Sequence, residues 1–174
     1  EKQMGVATLI NMYRSRGHLI AALDPLSARA PEMHPELDPA AYGLTIWDLD
    51  REFLTGSTKS VYAPVGGSPR LPLGEILRVL RDAYCRTIGI EYMHISEVEE
   101  KRWIQEQVER ELVKFSADEQ IGILDLLNKA EALEHFLGTK YLGQKRFGLE
   151  GGESAIAILH TLLGLAADRN FDSA

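Results

Sequence analysis

The sequence predicts a mainly α-helical module over residues 1–137, followed over 138–174 by a Gly-rich passage and one helix of a new, truncated unit. Three observations carry that expectation. Apolar residues recur at three- and four-residue spacing in several stretches, which places them on one face of a helix. Two Ser-x-x-Glu boxes, Ser96/Glu99 and Ser116/Glu119, mark helix starts. A strip rich in glycine and cations, Lys140 to Ser154, breaks the pattern before helical spacing resumes at Ala155, Ile158, Leu159 and Leu162.

Taken in order, Val6, Leu9, Ile10 and Tyr13 outline a first helix, with Arg14 and Arg16 in its last turn and Gly17 as its stop. Asp24-Pro25 blocks further helix, because the proline ring disfavours helical geometry in the residue before it. The prolines between Ala30 and Pro39 make a looped connection. Thr45 and Asp48 cap a short helix carrying Ile46, Trp47 and Leu49. Residues 54–72, with Gly56, Gly66, Gly67 and the surrounding serines and prolines, read as a mobile surface loop. Pro72 opens a helix whose buried stripe is Leu73, Ile76, Leu77, Leu80 and Tyr84. Ile90 to Ile95 is an extended or tight connection. The helix opened by Ser96 carries Ile104, Val108 and Leu112, and the one opened by Ser116 carries Ile121, Leu124, Leu127, Leu133 and Leu137 up to a stop at Gly138.

Composition narrows the function. A 45% apolar content supports a buried core, and 26% charged residues is ordinary for a globular chain. The net charge of −7 argues against nucleic acid as the main partner. No apolar run approaches the length that spans a membrane. Cys85 is the lone cysteine, which favours a reducing compartment and a packing role for its thiol. The first residues lack a signal peptide and an initiator methionine, so the chain reads as a piece of something longer.

Few residues offer chemistry. The histidines at 18, 34, 94, 135 and 160 are too scattered to form a metal set, so no metal ligand is expected. Glu131 and His135 share a helix face but supply only two ligands, and read as a surface pair. His94 reads as a hydrogen-bonded structural residue, and Trp103 as a packing one. No residue is a catalytic candidate. Lys145-Arg146-Phe147 stands apart. Arginine holds a carboxylate through two parallel hydrogen bonds, and an adjacent ring excludes water. Gly151-Gly152 allows backbone to approach a ligand, since no Cβ intervenes. By composition a solvent-exposed basic turn fits equally well.

Several stretches resemble the N-terminal part of the 2-oxoglutarate dehydrogenase E1 component. They are Tyr13-Arg14-x-Arg16-Gly17-His18-Leu19, Leu23-Asp24-Pro25-Leu26, Tyr42-Gly43-Leu44-Thr45 with Asp48-Leu49-Asp50-Arg51-Glu52-Phe53, Ile88-Gly89-Ile90-Glu91-Tyr92-Met93-His94-Ile95, Glu100-Lys101-Arg102-Trp103-Ile104-Gln105-Glu106 and Thr139 through Ser154. The wording around Trp47-Asp48-Leu49-Asp50 and Asp82-Ala83-Tyr84-Cys85-Arg86 is most similar to actinobacterial members, in which E1 can be fused behind an acyltransferase domain.

The resemblance implies a large homodimeric enzyme that uses thiamine diphosphate and Mg2+, decarboxylates 2-oxoglutarate and passes succinyl to the lipoyl arm of E2; residues 138–174 would then be the first loop and helix of its truncated α/β thiamine-diphosphate-binding domain. Residues outside this chain would hold the cofactor, since the sequence contains neither Gly-Asp-Gly nor His-Arg-Gly-Arg. Of the family's active-centre residues, Arg146 and Phe147 carry over, as substrate-binding residues lining the 2-oxo acid pocket. The fragment alone is expected to be inactive. The expected compartment is the bacterial cytoplasm, or the mitochondrial matrix for a eukaryotic source. Two other readings stand beside it: a 2-oxoadipate dehydrogenase E1, differing by one methylene of substrate, and a helical docking or dimerisation module.

Overall fold

A computed structural model describes residues 1–24, 26–27, 31–57, 60–110, 114–143, 145 and 148–171. Among the described residues the chain is mainly helical, with two short strands. In order come α1 (Lys2–Arg16), β1 (Glu52–Leu54), β2 (Arg70–Pro72), α2 (Leu73–Tyr84), α3 (Val98–Val108), α4 (Ala117–Lys140) and α5 (Ser154–Asp168), with short 3-10 turns between α1 and β2. Two compact units divide at 112/113. That division lies earlier than the expected 137/138, and it groups α4 with α5.

In the first unit, α1 and α2 form the core. Val6, Leu9, Ile10 and Tyr13 of α1 are sealed from solvent, as are Leu73, Ile76, Leu77, Leu80 and Tyr84 of α2, the stripe that periodicity predicts. Each such side chain contributes roughly 1.5–3 kcal/mol by leaving water. Leu37, Leu44, Phe53 and Val65 from the connecting segments complete the cluster. Gly17 ends α1, though not through a left-handed stop: its φ is −56° and the chain runs on into a 3-10 turn, Gly17–Ile20. Glycine is required there for space, because a Cβ would lie 2.5 Å from Tyr84 Cβ where the two helices meet.

The 54–72 segment departs from the expected surface loop. Its ends pair as antiparallel strands, Phe53 opposite Leu71 and Leu54 opposite Arg70. Ala63 and Val65 within it are fully buried. Alternating turn residues hid an apolar anchor that packs on the helices. On the other edge of β1, the Gln3 side-chain amide donates to the Leu54 carbonyl and accepts from the Leu54 amide, both at 2.9 Å, so a side chain acts as a third strand.

Two helix-end expectations also change. α3 begins at Val98 with Glu97 as its cap and no side-chain capping bond, so the Ser96 box does not form. Glu99 and Glu100 instead set negative charge against the first turn's free amides. Leu112 lies outside the described residues. In the second unit the Ser116/Glu119 box does form. α4 then passes through Gly138 to Lys140. Thr139 Oγ1 bonds the carbonyls of His135 and Phe136, and the Phe136 and Tyr141 rings meet edge to face at 6.5 Å. Those contacts hold the last turn against the roughly 1 kcal/mol that a helical glycine costs. α4 packs on α5, and neither helix buries a residue completely, since two helices share a single seam.

Candidate functional site

Arg146 and Phe147, the substrate-binding residues expected from sequence, lie outside the described residues, as does Gln144. Their flanks are described. Gly143 and Gly151 adopt φ of 87° and 86°, a region open to glycine at little cost. The Gly152 amide donates to the Leu149 carbonyl at 2.6 Å, closing a tight turn with Gly151 at its third position. The Leu149 amide donates to Glu134 Oε1 at 2.9 Å, which ties the strip to α4. Glu153 sits at the start of α5, and its carboxylate accepts from the Gly151 amide. Backbone amides, its own first and then that of Gly151, hold its pKa below the usual carboxylate range. Lys145 is exposed. The described part of the strip on the C-terminal side is therefore a tight turn tied to α4 and to the start of α5.

The structure reveals a second constellation in the first unit. Arg14, on the α1 face continued from Val6 and Ile10, reaches Glu109 just past the end of α3. Arg14 Nε donates to Glu109 Oε1 at 2.7 Å, and Nη2 donates to Oε2 at 2.8 Å. Nη2 also donates to the Ala63 carbonyl at 2.8 Å. Tyr84 donates its hydroxyl to Glu109 Oε1 at 2.8 Å and shares a 3.0 Å hydrogen bond with Tyr92. Gln105 Oε1 accepts from the Ala63 amide at 2.9 Å.

Burial acts on the arginine and on both tyrosines. By itself it would lower the Arg14 pKa, but the hydrogen bonds and charge of Glu109 outweigh it and the net direction is upward. Burial pushes the Tyr84 hydroxyl far up, and the Glu109 charge pushes it the same way. Burial likewise raises Tyr92. All three groups therefore stay in their usual protonated forms at neutral pH. With Arg14 satisfied by Glu109 and Ala63, the cluster clamps elements together and supplies no general base or nucleophile. Next to it lies a cleft of about 290 Å³, bordered by Ile10, Asn11, Arg14, Thr55, Ser60 and Tyr62.

Sequence reasoning placed Arg14 in the last turn of the first helix, with no partner, and passed over Glu109. One signal was present: Arg14 stands four residues after Ile10 and next to Tyr13, on the buried stripe. A cation there needs an interior partner.

The remaining flagged residues are dispersed. Cys85 follows α2 and is half-buried, and burial pushes its thiol up to about 11. His94 is exposed, contrary to a structural role, and Trp103 is 62% exposed rather than packed. Among the described residues, no three or more His, Cys, Asp or Glu side chains converge to fit a metal ion such as Mg2+. Among them, too, no helix is long and apolar enough to cross a membrane.

No family model matches the chain. Comparison with characterised proteins does find relatives. The chain is 45% identical over 174 residues, 99% of its length, to the "Multifunctional 2-oxoglutarate metabolism enzyme" of Mycolicibacterium vanbaalenii. It is 44% identical over 176 aligned residues to the "2-oxoglutarate dehydrogenase E1/E2 component" of Corynebacterium glutamicum. It spans 13% of the length of the first relative and 14% of the second. By sequence, then, the chain is a homologue, from end to end, of one segment of the actinobacterial 2-oxoglutarate dehydrogenase E1 and multifunctional 2-oxoglutarate metabolism enzymes.

Proposed function

We propose that this chain serves as one segment of a 2-oxoglutarate dehydrogenase E1 polypeptide. The observation that carries this reading is the 45% identity over 99% of the chain to a relative with 2-oxoglutarate in its name. That name also favours 2-oxoglutarate over 2-oxoadipate. In this reading residues 1–137 form a helical module beside the catalytic domains, and residues 138–174 open the thiamine-diphosphate-binding domain. The parent is a cytoplasmic homodimer that decarboxylates 2-oxoglutarate and hands succinyl to the lipoyl group of an E2 partner. Thiamine diphosphate supplies the electron sink for that decarboxylation. It and Mg2+ are held by residues outside this chain.

The contribution of this chain is to bind and orient. Arg146 pairs with a carboxylate of the 2-oxo acid through its planar guanidinium, and Phe147 closes the pocket against water. The turn at Leu149–Gly152 and the Glu134 bond to Leu149 support this reading, because they anchor the backbone on the C-terminal side of the pair.

Replacing Arg146→Ala in the parent enzyme tests it. The expected result is a higher KM for 2-oxoglutarate and a lower kcat, with thiamine diphosphate binding unchanged. An unchanged kcat/KM would overturn the assignment. The isolated 174 residues should show no turnover.

One observation favours a second role, as a docking surface. Trp47 is 87% exposed on a turn held by the Thr45/Asp48 box and by Lys2, whose Nζ lies 2.6 Å from Asp48 Oδ2. A large ring presented on a rigid turn suits an interface. Trp47→Ala in the parent should then weaken assembly while sparing decarboxylation by free E1.

A further inference from the structure

α3 is attached to its unit differently from α1 and α2. Those two helices bury apolar stripes, whereas the sealed residues of α3 and its cap are Gln105 and Glu109. Ile104 and Val108 are half-buried, and Val98 and Trp103 face solvent. Ile104 and Val108 pack against the core from outside it, and polar grips add to that hold. Arg102 Nη1 donates to the Ser60 carbonyl at 3.3 Å, Gln105 accepts from the Ala63 amide, and Glu109 accepts from Arg14 and Tyr84.

Two of these grips fall on residues 60–63, and Arg14 holds the same segment through the Ala63 carbonyl. Ser60 and Tyr62 are also a wall of the cleft whose floor includes Ile10, Asn11 and Arg14.

We propose that α3 is a latch on this cleft, and that α3 and the 60–63 segment detach together while the α1/α2 core stays folded. The argument is one of range and direction. Apolar adhesion fades gradually as area is lost, but buried hydrogen bonds fail once distance and angle are spoiled. Because Arg102 and Gln105 lie on α3 and Glu109 caps its end, a displacement that breaks one grip misaligns the others. Elements with few buried apolar contacts open below the global unfolding free energy. When α3 departs it takes Glu109 with it. The guanidinium of Arg14 is then without its carboxylate at the edge of an opened cleft.

Hydrogen exchange of the 174-residue chain, followed by mass spectrometry, tests the latch. Amides of 98–108 and of 61–63 should exchange at one shared rate, faster than the α1 and α2 stripes. Glu109→Gln should accelerate both segments by about tenfold or more, with the α1 and α2 stripes unchanged. A single rate for α3 and the α1/α2 core would overturn the proposal, as would acceleration of α3 without 61–63. Should Glu109→Gln not fold, Arg102→Ala removes the outermost grip. It should speed exchange in both segments and leave the core alone, and no change in either segment would overturn the latch.

Discussion

Arg14 and Glu109, 95 positions apart, form a two-bond ion pair in which each side chain keeps only 2% of its surface in contact with solvent. Desolvating two charges offsets most of their attraction, so the pair adds little net stability, but stranding one member is costly. Glu109→Ala should therefore cost about 3–5 kcal/mol against α3 docking. The double replacement Arg14→Met with Glu109→Leu should recover most of it. Denaturant unfolding followed through Trp103 fluorescence, in a Trp47→Phe background, measures both, since the chain has two tryptophans. A double variant as weak as the single would contradict this account.

Gly17 packs where α1 meets α2, with no room for a methyl group beside Tyr84 Cβ. A Cβ of the backbone neighbour cannot swing aside as a long side-chain tip does. Gly17→Ala should destabilise the first unit by about 1–3 kcal/mol, read as a lower melting temperature by circular dichroism. An unchanged melting temperature would show that the helices separate freely.

Asp48 is nearly buried, and the Lys2 ammonium first, then the Thr45 amide, hold its pKa at about 2. The ordinary value is about 3.9, so the folded state holds the proton more weakly than the unfolded one. This stabilisation is full above pH 4 and is lost as pH falls towards 2. Asp48→Asn should flatten that part of the stability profile, measured by urea unfolding at several pH values. An equally steep decline in the variant would assign the acid sensitivity elsewhere.

Burial raises the Cys85 thiol to about 11, so very little thiolate exists near neutrality. Alkylation by iodoacetamide at pH 8 should be at least about tenfold slower than for an unstructured cysteine, and should accelerate as pH approaches 11. Mass-spectrometric labelling kinetics would reveal it. Labelling at the free-thiol rate would show that the site opens readily.

Much of this protein was determined by local sequence alone. The α2 stripe from Leu73 to Tyr84, the α1 stripe and the Ser116/Glu119 cap follow from spacing, because a helix face and a first turn are set by residues three or four apart. The relationship to 2-oxoglutarate dehydrogenase E1 was legible in motifs spread along the whole chain. Tertiary structure decided what spacing could not. It left the Ser96 box unused, carried α4 through Gly138 and folded the ends of the 54–72 segment into a hairpin. It also turned Arg14 from a helix-end cation into the interior partner of Glu109. Periodicity records which face of an element avoids water. Which distant carboxylate, carbonyl or ring meets that face depends on how the chain closes on itself, and there the buried charge found its partner.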